Sequence, residues 1–149
     1  MYLLKRGGWM VPAVAAISLM TVSSACSGGP SPGRSGTDVP VKLKDFRIGL
    51  ARHTLAAGTI DSDIRNPGPS THEFLIVRTD LSSSRLPLGP DGLTVDEESP
   101  GLHLVEEDSE LDIGANRVLQ VDLSPGRYVL YCNLEGHYLG GMHTSLVVT

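Results

Sequence analysis

The chain has 149 residues, a formal net charge of −5 and two cysteines. Without a targeting segment roughly 110 residues remain, enough for one domain that buries a core unaided by disulfides. An acidic chain without a basic footprint argues against nucleic acid as a partner, because phosphate binding needs clustered Lys and Arg; the negative surface suits solubility or a basic protein partner.

Lys5 and Arg6 precede an apolar run from Trp9 to Val22, followed by Ser23, Ser24, Ala25 and Cys26. A positive end, an apolar middle and small residues make residues 1–25 a secretory signal. Cys26 directly after Ala25 resembles the lipobox of bacterial lipoproteins, in which the cysteine is lipidated and becomes the new N-terminus; Ser23 stands where Leu is favoured. An uncleaved anchor or plain secretion is the competing reading, although the run is slightly short for a span. Residues 26–38 comprise the lipidated Cys26 and a Gly/Ser/Pro-rich flexible tether with no apolar side chain to dock. The domain proper, residues 39–149, is thus expected outside the cytoplasm of a bacterium, at the periplasmic or cell-surface face of the membrane and held there by lipid. Cys132 is then its single free thiol, and in an oxidising compartment such a thiol is either buried and inert or bound to metal.

From Val41 to Leu50 apolar residues nearly alternate, with a slip at Lys44-Asp45 read as a bulge. Thr59 to Ile64 alternates again and runs into Asn66-Pro67-Gly68-Pro69, a strong turn signal. Phe74 to Val77 is continuously apolar, as in a strand buried on both faces. Leu81 to Glu98 is weakly patterned and reads as a short helix or a long loop, and Glu106, Glu107, Asp108 and Glu110 read as a solvated acidic face. Val118, Val121 and Leu123 mark a strand, Ser124-Pro125-Gly126 a turn, Tyr128 to Tyr131 the next strand and Ser145 to Thr149 the last. Short strands punctuated by Gly and Pro predict an all-β Greek-key sandwich of about seven or eight strands.

Chemistry concentrates between the last two strands, in Tyr131-Cys132-Asn133-Leu134-Glu135-Gly136-His137-Tyr138-Leu139-Gly140-Gly141-Met142-His143. Cys132, His137 and Met142 fall five residues apart, a spacing that scatters side chains around a helix, and the glycines disfavour a helix in any case. A loop can instead turn all three toward one point. A thiolate, an imidazole and a thioether are donors suited to copper, and a second imidazole would complete a His₂Cys set with a weak axial Met. His72, between the Asn66–Thr71 turn and the Phe74–Val77 strand, is the best placed candidate.

With these residues in view, the chain from about Val41 to Thr149 resembles the cupredoxins, the plastocyanin and azurin family of small type 1 copper proteins. The resemblance implies one copper ion, cycling between Cu(I) and Cu(II), with His72 and His137 as imidazole ligands, Cys132 as thiolate and Met142 as axial thioether. Ser124-Pro125-Gly126-Arg127-Tyr128 resembles the family's Pro-Gly-x-Tyr turn leading into the cysteine strand. Two departures stand out: Glu73 follows the first ligand where well-known members often carry Asn, and four residues separate Cys132 from His137, more than in the shortest family loops. The family's C-terminal ligand His acts as an electron port, which makes His137 the port here, with Leu134, Tyr138 and Leu139 as an apolar rim.

The function implied is one-electron transfer between redox partner proteins at the membrane by a monomeric carrier that is not an enzyme. The alternative is a copper-binding, delivery or storage protein outside any redox chain. An oxidase or nitrite reductase fits least, since a single short domain lacks the additional copper ligands of those multi-domain enzymes. His53, His103 and His143 have no place in the ligand pattern; His143, beside Met142, is the one that could compete as an axial donor. Asn66 is expected to brace the ligand loop or simply to serve the turn.

Overall fold

The alternation from Val41 to Leu50 folds as a hairpin rather than a bulged strand. In a computed structural model, which describes residues 35–149, β1 (Thr37–Lys44) pairs antiparallel with β2 (Arg47–Leu50). Lys44 faces Arg47 across the two-residue turn Asp45-Phe46, and Phe46 takes the left-handed conformation with φ 60°. That conformation costs a residue with a Cβ roughly 1–2 kcal/mol, so the packing around the turn must hold it. β1 opens at Thr37, inside the stretch read as tether. The signal segment and Cys26 lie outside the described residues.

Seven further strands follow: β3 (Thr54–Leu55), β4 (Gly58–Arg65), β5 (His72–Arg78), β6 (His103–Leu111), β7 (Asn116–Leu123), β8 (Gly126–Tyr131) and β9 (His143–Val148). They form a four-stranded sheet of order β2-β1-β4-β7 and a five-stranded sheet of order β3-β9-β8-β5-β6. The β1–β4 and β3–β9 pairs are parallel and the others antiparallel, as expected when the chain crosses between sheets in Greek-key fashion. The nine strands slightly exceed the expected number, since the two-residue β3 and the acidic β6 carry no clear apolar alternation.

Between the sheets, Val39, Val41 and Leu43 of β1 meet Ile60, Ile64, Phe74, Ile76, Leu130 and Leu146 in the main core. Alternation dictates this, because every second side chain of a strand faces the same way. β5 differs in being apolar on both sides: Phe74 and Ile76 enter the main core, whereas Leu75 and Val77 join Val129 and Tyr131 in a second cluster. Leu86, Val95, Leu102 and Tyr138 complete that cluster.

The second cluster explains the segment between β5 and β6. Among the described residues it contains no helix; it is a succession of turns with one isolated bridge, Leu88 to Val95, laid over the outer face of the five-stranded sheet. Burying Leu86, Val95 and Leu102 there stabilises by about 1.5–3 kcal/mol each. The acidic run Glu106–Glu110 lies in β6, an edge strand, where charge discourages pairing with other chains.

Candidate metal centre

His72 is the first residue of β5, and Cys132 immediately follows β8, the strand beside it. Phe74 to Val77 must bury both faces, which anchors β5 between β8 and the edge strand β6 and carries His72 to full burial. The loop after Cys132 then turns back on itself. Leu134 carbonyl accepts from the His137 amide at 2.9 Å, Gly136 carbonyl from Gly140 at 2.9 Å and His137 carbonyl from Met142 at 2.9 Å. The Cys132 amide closes the circuit by donating to the Met142 carbonyl at 3.1 Å. Two ends of an eleven-residue loop are thereby brought together, and Met142 is fully buried in the same core cluster as Cys132.

Three of the four expected donors converge: one ligand atom each from His72, Cys132 and His137 lie within 4.8 Å of one another. The Cys132 sulfur is 3.4 Å from His137 Nδ1, and the two imidazole rings are 5.3 Å apart between centroids. Neither nitrogen of His72 has a hydrogen-bond partner although the side chain is wholly buried. Idle buried polar atoms cost about 1–3 kcal/mol, so this imidazole suits a metal better than a passive core. Two imidazoles and a thiolate in a small buried space fit one copper ion, the metal that such soft sulfur and nitrogen donors select.

Burial lowers the basicity of His72, aided by the neighbouring His137 and opposed by Asp45, which keeps a neutral donor ready. Burial pushes the Cys132 thiol up, while the Glu73 and Leu134 amides favour its thiolate. Glu73 itself is pushed up by burial and then by Glu107 and Glu97, and the Asn133 amide partly compensates.

The departure from the family at Glu73 leaves a tie between the ligand loops intact, because the main chain makes it: the Glu73 amide donates to the Cys132 sulfur at 3.3 Å. Asn133 adds a second tie of a different kind. Its Oδ1 accepts from the Val95 amide at 2.6 Å, while its Nδ2 donates to the Val95 carbonyl at 3.1 Å and to Glu97 at 2.6 Å. The ligand loop is thus fastened to the segment that covers the second cluster. Asn66, 1% exposed, braces the turn before His72: its Nδ2 donates to the Ser70 and Leu111 carbonyls and its Oδ1 accepts from Gly68.

Other candidates separate from the site. His143 packs at a tilt against Tyr138, a member of the outer cluster, with ring centroids 5.0 Å apart, whereas Met142 enters the main core with Cys132. Neighbours in an extended chain face opposite ways, which directs His143 away from the donors. His53 is exposed and bonded to the Ser145 carbonyl, and His103 is exposed on β6. Tyr138 does not belong to an apolar rim: it is buried, its hydroxyl donating to Ser83 and accepting from the Leu86 amide. Leu139 is exposed and Leu134 half-buried.

Asp45 and Phe46 were not among the residues singled out from the sequence, yet both reach the histidines. Asp45 Oδ1 is 3.5 Å from His72 Nε2, and the Phe46 ring lies edge-on to His137 at 5.6 Å. Phe46 also occupies the space where a side chain at Gly140 would project, which is why that position carries none. The broken alternation at Lys44-Asp45 was the available signal, and reading it as a turn would have placed two residues at the tip of a hairpin.

A β-sandwich with a donor set of this kind at one end of its five-stranded sheet is the cupredoxin fold. No family model matches the chain, and no curated protein matches its sequence. Solved structures match its fold: reduced auracyanin from Roseiflexus castenholzii is 18% identical with a TM-score of 0.57, over 76% of this chain and 98% of that one. Auracyanin B is 22% identical at a TM-score of 0.54, covering 76% and 88%. Rusticyanin from Thiobacillus ferrooxidans is 18% identical at 0.54, covering 77% and 79%.

Proposed function

We propose that the chain is a blue copper protein that carries single electrons, in which His72, Cys132 and His137 would hold the ion and Met142 would add a weaker thioether donor. The observation that carries this reading is the convergence of three donors within 4.8 Å around a buried imidazole with no other partner. Bound copper supplies the one-electron couple. The protein supplies restraint: His72 on a strand paired on both sides, Cys132 held by the Glu73 amide and a loop closed between Cys132 and Met142 all limit how far the donors move. Small movement means little reorganisation when the oxidation state changes. His137 is only half-buried, which suits it to pass the electron to a partner.

Export and a lipid anchor at Cys26 complete the reading, with redox proteins at the membrane as partners and a monomeric carrier that performs no catalysis. The secretory layout of residues 1–25 and the lipobox-like Ala25-Cys26 support it. Delivery or storage of copper is the second reading, and the burial of His72 and Cys132 weighs against it, since metal release then requires the loop to open.

Loading the purified metal-free chain with copper tests the proposal. An intense visible thiolate-to-copper band, lost in Cys132→Ser, supports it, and a pale complex overturns it. Reversible voltammetry favours transfer, whereas ready loss of copper to an acceptor protein favours delivery. Membrane association lost in Cys26→Ser supports the anchor.

A further inference from the structure

The two imidazole donors belong to the five-stranded sheet and its loop, but the turn that touches them belongs to the other sheet. Asp45 and Phe46 sit at the tip of the β1–β2 hairpin, and each meets one histidine. The contact with His72 is the more informative. His72 Nε2 and Asp45 Oδ1 are both buried, neither has a hydrogen-bond partner, and they face each other at 3.5 Å. The second oxygen, Oδ2, is held by the Ser70 hydroxyl at 3.3 Å, so the carboxylate does not swing freely.

We propose that Asp45 is a positioning residue for the metal centre: its Oδ1 accepts the Nε2 proton of His72, which fixes the tautomer and turns Nδ1 toward the donors. This rests on His72 being a ligand. A slight closure of the pair brings it within hydrogen-bond distance. Imidazole ligands commonly donate their second N–H to a carboxylate or carbonyl, and such a partner both orients the ring and raises its donor strength. A carboxylate does so more strongly than a carbonyl because it is charged, and here it comes from a hairpin whose tip is held in a costly left-handed conformation at Phe46.

A stronger imidazole donor favours copper(II) over copper(I). Removing the carboxylate should therefore weaken copper(II) binding more than copper(I) binding. With a loss of about tenfold in copper(II) affinity alone, the low end for such partners, the reduction potential rises by about 59 mV.

The experiment has two parts on the full chain. Ring nitrogen NMR shifts of the metal-free and copper(I)-loaded protein should place the His72 proton on Nε2; a proton on Nδ1 overturns the inference, and this measurement needs no variant. Potentials of Asp45→Asn and Asp45→Ala, measured on variants whose metal-free unfolding is still cooperative even if it falls at lower temperature, should rise, with Asp45→Glu nearer the parent. Potentials unchanged from the parent in folded Asp45→Ala overturn it as well. A parent chain that gives no blue band sinks the copper reading, whereas a blue parent with an Nδ1 proton or unmoved potentials sinks only the role of Asp45.

Discussion

The main-chain amide of Glu73 donates to the sulfur of Cys132 at 3.3 Å, so the residue after one imidazole donor holds the thiol donor of the neighbouring strand. Because a backbone group makes this contact, it is indifferent to side-chain identity, and position 73 can carry Glu without uncoupling the two loops. Packed in the main core, Cys132 is fully buried.

Burial predicts the chemistry of the thiol. In the folded metal-free chain, alkylation of Cys132 should run at least about tenfold slower than in urea, because reagent reaches only opened molecules. Copper(I) should slow it further. Mass spectrometry of time-resolved labelling checks both, and equal rates in folded and unfolded chains would contradict the burial.

Met142 closes the ligand loop and is wholly buried, so Met142→Leu changes the donor with little change of volume. Such swaps cost less than about 1.5 kcal/mol. The variant should retain copper and a blue band, with a higher potential because a thioether donor no longer stabilises copper(II). Loss of copper would show that Met142 is more than a weak ligand.

Asn133→Ala removes three hydrogen bonds and strands the Val95 amide and carbonyl. We expect a loss of about 2–3 kcal/mol in urea unfolding. Exchange of the Val95 amide should accelerate more than that of Leu130 in the central strand β8.

Gly140 faces the ring of Phe46, and a methyl group there would overlap it. Gly140→Ala should cost about 1–2 kcal/mol, less than a core overpacking because Phe46 is half exposed and can swing out. Combining it with Phe46→Ala should recover about 1 kcal/mol, a coupling that a double-mutant cycle measures.

Asp91 shapes the tip of the covering segment: Oδ1 accepts from the Leu93 and Thr94 amides and Oδ2 from the Thr94 hydroxyl. These bonds hold its carboxyl below the usual range. A depressed folded value means the stabilisation is present above the ordinary carboxylate range and is lost as pH falls through the lowered value. Asp91→Ala should therefore speed exchange of the Leu93 and Thr94 amides near neutrality, and the difference from the parent should shrink in acid.

Much of the site was legible because its chemistry is local. Cys132, His137 and Met142 share one loop whose glycines forbid a helix, and His72 is announced by the turn before it and the doubly apolar Phe74–Val77 after it. The fold class followed from short alternating strands. What stayed hidden depends on contacts between distant segments. The segment from Leu81 carries Leu86, Val95 and Leu102 at irregular intervals because each answers to a spot on the sheet rather than to a period. β6 reads as a charged face because only its last residue, Leu111, is buried, so no apolar alternation marks it. Asp45 escaped notice since nothing in Lys44-Asp45-Phe46 says which sheet its carboxylate will meet.

The hairpin tip at Asp45-Phe46 also gives the centre a mechanical character. The donors ride on one sheet and the groups that press on the two imidazoles ride on the other, so sliding of one sheet over the other would alter the pressure on the ligands. An ion held by donors of one sheet alone would not bridge the seam, so the hairpin tip is where the second sheet feels a change at the ligands. Hydrostatic pressure, if it slides or closes one sheet against the other, should consequently shift the visible band of the loaded protein before it unfolds the chain.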